Sequence, residues 1–77
     1  MATDTEIDAA VLSNVTRHWA KVAMVAVKSM DQLSLPTTDE SLETILRRVE
    51  ALVAIGRIEA QGNLKLPRHS EVRASQG

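Results

Sequence analysis

The chain has no cysteine, phenylalanine or tyrosine, and a single tryptophan, Trp19. Without cysteine there is no disulfide framework and no thiolate metal site. Without Phe or Tyr, the core must be built mainly from Leu, Ile, Val and Ala. No apolar run approaches the roughly 18 residues that a membrane span needs. The start, Met1-Ala2-Thr3-Asp4, lacks the basic and apolar stretch of a signal peptide, which predicts a cytoplasmic location. Charge of one sign is missing too. The net charge is −1, which by itself points to neither nucleic acid nor membrane. Also absent are a Gly-rich phosphate loop, a nucleophile elbow and a metal-spaced His/Asp/Glu cluster.

What is present suffices for one small folded domain. The chain has 77 residues, of which 44% are apolar, enough for a packed core rather than a disordered segment. It is read as a single domain, 1–77, with its ordered core at about 5–74. A domain of this size either closes one compact cluster alone or completes it against a second chain.

Helical periodicity dominates the first two thirds. Ile7, Ala10 and Val11 share one face of a first helix, Thr5 to Leu12, whose first turn is acidic. Ser13-Asn14 interrupts it. A second helix is predicted from Val15 to Asp31. Its buried stripe would be Val15, Trp19, Val22, Ala23, Ala26, Val27 and Met30, with Arg17, Lys21 and Lys28 opposite. Met24 sits among those cations and Val25 on the flank. Pro36 breaks the chain, and Thr37 with Glu40 fits a capping box for a third helix reaching about Ile55. Leu42, Ile45, Leu46, Val49, Leu52 and Val53 form the clearest stripe. Gly56 is the expected left-handed cap.

After Gly56 the period drops to two. Arg57–Gln61 and Ser70–Ala74 alternate as strands of a C-terminal β-hairpin, with a long tip from Gly62 to His69. The fold class is therefore α+β and mainly helical. Three helices followed by a C-terminal hairpin is a winged-helix-like order. The ending Ser75-Gln76-Gly77 is expected to fray.

The pattern carries a closer resemblance. "HWAKVA" (His18 to Ala23), "RRVEALVAIGRIEAQGNL" (Arg47 to Leu64) and "SEVRAS" (Ser70 to Ser75), together with Asp8 and Leu12, cover about residues 8 to 75. They resemble a bacterial family of small uncharacterised proteins and domains. In that family a Trp-x-Lys-Val-Ala segment precedes an Arg-hydrophobic-x-x-Leu-Val helix, a Gly-x-Leu-Glu-x-Gln-Gly turn and a terminal Glu-Val-Arg strand. The resemblance implies a winged-helix-like fold and its boundaries, and no reaction.

Chemistry is sparse. The titratable candidates for catalysis are His18, His69, Glu59 and Glu71, and their spacing assembles no acid/base or nucleophilic site. No catalytic residue, cofactor or metal ligand is expected, and the chain is not read as an enzyme. Glu59, Glu71 and Arg73 are expected to pair across the hairpin. Trp19 is expected as the largest core residue, under the third helix with Leu46 and Val49.

Two binding readings remain. The first is a non-catalytic protein-interaction module, an accessory or immunity-type protein with one protein partner or a second copy. Its surface would be Arg17, Lys21, Met24, Val25 and Lys28, an apolar pair rimmed by cations. The strand Ser70–Ala74 offers a second route, as a sheet edge that a partner could extend. The alternative is a DNA-binding regulator contacting nucleic acid through Arg47, Arg48, Lys65 and Arg68. Against it, the start of the third helix carries Asp39, Glu40 and Glu43, which repel phosphate.

Overall fold

A computed structural model describes residues 2–75. These form helices α1 (Asp4–Ser13), α2 (Val22–Gln32) and α3 (Asp39–Ala54), strands β1 (Ala20–Lys21), β2 (Ile58–Gln61) and β3 (Glu71–Ala74), and a 3-10 turn at Pro67–His69. The sheet is antiparallel, ordered β1-β3-β2.

The helix ends follow from local chemistry. Thr3 caps α1 in a full capping box. Its hydroxyl accepts from the Glu6 amide, and the Glu6 carboxylate accepts from the Thr3 amide at 3.0 Å. The amide of Thr3, with help from its hydroxyl, lowers the Glu6 pKa from its ordinary 4.5. The same signature at Thr37 and Glu40 is not used. Thr38 caps α3 instead, accepting from the Ser41 amide at 3.2 Å. At the far end Gly56 takes φ +79. The Arg57 amide then reaches Leu52 O at 2.9 Å and the Gly56 amide reaches Val53 O at 3.0 Å, the two bonds of a Schellman cap.

The second helix differs from its expectation. It begins at Val22, because Ala20 and Lys21 are drawn into the sheet opposite Val72 and Glu71. The Val22 amide, the first of the helix, donates to Ser70 O at 3.0 Å. Residues 15–19 are not helical. The buried stripe therefore becomes Val22, Val25, Ala26, Ser29 and Met30. Val25 is 1% exposed, so it belongs to the core and not to a partner surface. Val27 is 53% exposed, so it leaves the expected stripe.

β1 also changes the sheet. The strands are not a simple C-terminal hairpin, since β3 lies between β1 and β2. Its expected free edge is occupied on both sides, and a partner cannot extend it there. The hairpin itself registers Glu59 with Arg73 and Gln61 with Glu71. Arg73 Nε donates to Glu59 at 2.7 Å, as expected. Glu71 takes a different partner, accepting from Gln61 Nε2 at 2.6 Å.

The core is aliphatic. Ile7 and Val11 of α1, Val22, Val25, Ala26 and Met30 of α2, Ile45, Val49 and Leu52 of α3, Ile58 of β2 and Val72 of β3 meet in one cluster. Leu42, Leu46 and Val53 pack half-buried against it. Trp19 is not in it. It lies half-buried on the outer side, with the Arg73 guanidinium 4.5 Å from its ring centre. One buried and one half-buried polar side chain are satisfied locally and between α1 and α2. Ser29 donates to Val25 O at 2.8 Å, and Asn14 bridges Ala10 O at 2.8 Å and Gln32 at 3.1 Å. Ser75 is also anchored, donating to Gly56 O at 2.7 Å, whereas Gln76 and Gly77 lie outside the described residues.

Candidate functional site

Helix α2 buries one face and leaves Met24 and Val27 on the other. They are one turn apart, at i and i+3, so their side chains share a surface. Met24 is 56% exposed and Val27 53%. With Ala23 they floor a shallow depression of about 560 Å³, rimmed by Lys21, Lys28 and Arg68. No carboxylate lines it. Arg68 arrives from the 3-10 turn, which packs against α2. A second hollow of about 190 Å³ adjoins it and shares Ala23, Val27 and Arg68. This one reaches to Leu42, Pro67 and Asp39 at the start of α3.

The expected partner surface is thus kept in outline and corrected in composition. Lys21, Met24 and Lys28 are brought together. Val25 is removed from the surface by burial, and Val27 takes its place. Arg17 is exposed in the segment before β1 and does not line the depression. Restarting the helical phase at Val22 finds the right face, because residues 22, 25, 26, 29 and 30 then fall at i, i+3, i+4, i+7 and i+8. The serine at position 29 hides that stripe from an apolar count.

The residues of the nucleic-acid alternative are dispersed. Arg47 and Lys65 share a hollow of about 320 Å³ with Glu43, Leu46, Glu50 and Leu64. Arg68 faces α2 instead. Arg48 is engaged within the fold. Its Nε and Nη2 form a two-pronged pair with Asp8 at 2.8 and 2.9 Å, and Asp4 lies 3.5 Å from Nη1. The hydrogen bonds to Asp8 raise the guanidinium pKa above its ordinary value. The exposed side of α3 therefore alternates charge, Glu43, Arg47 and Glu50.

The other candidates do not converge. His18 and His69 are both exposed. A hollow of about 290 Å³ between α1 and α3 is lined by one titratable residue, Glu40. Among the described residues no group of three or more His, Cys, Asp or Glu is placed to hold a metal ion. Among the same residues no helix is long and apolar enough to cross a membrane. Comparison of the chain with protein-family models, curated proteins and solved structures found no match.

Proposed function

We propose that this protein is a non-catalytic interaction module whose working surface is the exposed face of α2. One observation carries the reading. Met24 and Val27 stand more than half exposed, side by side, inside a rim of three cations. Isolated exposed apolar residues are ordinary, but adjacent ones within a polar rim are the anatomy of a contact patch. The partner is another protein or a second copy of the chain. The test is native mass spectrometry with cross-linking of the wild type and Met24→Asp. A cross-link or dimer lost in the variant supports the reading. A monomer with no contact at this face counts against it.

A second reading keeps one specific support. The order α1-β1-α2-α3-β2-β3 with sheet order β1-β3-β2 resembles that of a winged helix, a fold widely used on DNA, and supports that reading. In that frame α3 is the recognition helix and the tip 62–70 the wing. Salt-dependent binding to random duplex, lost on replacing Lys65 and Arg68 with alanine, would establish it. The alternating charge on α3 supports the first reading over this one.

The proposed membership of the bacterial family sits beside both. The residues that carry the likeness include Asp8, Trp19, Gly56, Glu59 and Arg73. Here these have an ion pair, a stacking contact, a helix cap and a cross-strand pair to maintain. The likeness therefore supports the fold and is silent on chemistry.

A further inference from the structure

We propose that the α2 face docks an acidic amphipathic segment of another protein, an inference that rests on the interaction-module reading and names its partner. The argument is charge complementarity around an apolar floor. The depression is lined by Lys21, Lys28 and Arg68 over Ala23, Met24 and Val27. The three cations come from separate places in the chain: β1, the middle of α2 and the 3-10 turn. Tertiary folding assembles a rim that no single segment carries.

The carboxylates nearby lie outside the depression, and Asp31, exposed on α2 one turn beyond Val27, does not line it. Glu71 lies opposite Lys21 in the sheet register and is held by Gln61. Asp39 lines only the adjoining hollow, beyond Val27. A ligand seated on the floor therefore meets positive charge on its flanks. Two bulky apolar side chains one helical turn apart would fill the depression, and Asp or Glu beside them would meet the rim. Rim charges of this kind act mainly on partner choice and association rate. A neutral or basic segment would lose the rim contacts and gain repulsion.

The test pans a displayed random-peptide library against the full chain. Selected peptides are then measured against Met24→Asp and against Lys21→Glu with Lys28→Glu. All three replaced side chains are exposed, so thermal melts should show the fold retained. Selected sequences are expected to be rich in Asp and Glu around two apolar anchors. Met24→Asp should weaken them about tenfold or more, as loss of a central apolar anchor does. The double charge reversal should weaken them about fivefold and less so at high salt. Neutral or basic peptides that need Met24 would overturn the acidic partner and leave the interaction reading standing. Failure to recover any peptide dependent on Met24 would overturn both. Duplex DNA and vesicles of anionic lipid form parallel arms, and Met24-dependent binding of either overturns the proposal.

Discussion

Helices α2 and α3 turn exposed faces to solvent with different chemistry, although the same segment, residues 62–70, flanks both. The α3 face alternates Glu43, Arg47 and Glu50, with Lys65 beside them. The depression on α2 is lined by apolar side chains and only cations, with Arg68 beside them, although Asp31 stands exposed one turn beyond it. A face of mixed charge makes few net demands on a partner, because its ions can satisfy one another locally. A face of one sign over an apolar floor leaves both its charge and its apolar area to a partner. Element order nominates α3 as the working helix, yet surface chemistry nominates α2.

Substitutions can break or sharpen this contrast. The largest effect is expected from Val25→Asp beside Met24→Asp. Val25 is 1% exposed, so an aspartate there is a buried unpaired charge and should cost more than about 3 kcal/mol, enough to unfold so small a domain. Met24→Asp should leave the melt unchanged. Equal melts for the two would show that the α2 face has been assigned to the wrong side.

Next comes Gly62→Ala, which strikes the segment both faces share. Gly62 has φ +83, and a Cβ there would lie 2.6 Å from His69 O. The cost should be about 2 kcal/mol, with the positions of Lys65 and Arg68 disturbed together. Gly56→Ala, at φ +79 with nothing within 4 Å, should cost only about 1 kcal/mol and leave both faces intact. Chemical denaturation ranks the pair.

A smaller effect tests α3. Replacing Glu43 and Glu50 with glutamine should raise duplex affinity at low salt by roughly threefold, without altering peptide binding at α2. Loss of peptide binding in that variant would merge the two faces into one site.

The smallest effect is a control away from both. Hydrogen bonds from Thr3 hold the Glu6 pKa below its ordinary 4.5. A lowered folded-state pKa stabilises above the unfolded value and loses that stability as pH falls through the folded one. Acid titration of the melting temperature should show this loss in the wild type and a shallower one in Glu6→Gln. Peptide binding measured at neutral pH should be the same in both.

The third helix and its exit were legible in residue order. Ile45, Val49 and Leu52 repeat at helical spacing, and Gly56 closes the helix where only a left-handed residue fits. The Glu59–Arg73 pair was legible too, because alternating strands joined through one tip have a narrow choice of register. The start of α2 was not. Residues 15–21 have helical spacing in sequence, but Ala20 and Lys21 gain sheet hydrogen bonds to β3 that a helix cannot match there. That shift in phase moved Val25 inward and Val27 outward. Trp19 went astray for the same reason, since a residue outside the helix no longer points where its stripe predicted.

The sequence alone determined the aliphatic core, the helix cap at Gly56, and the scarcity of reactive groups. Those depend on residue type and on neighbours within one turn. Tertiary structure decided where α2 begins, which of its residues face water, and that Arg68 joins Lys21 and Lys28 rather than Arg47 and Lys65. These are set by strand pairing between residues 20–21 and 71–72, about fifty positions apart. Local spacing carries no record of a hydrogen bond made across that distance.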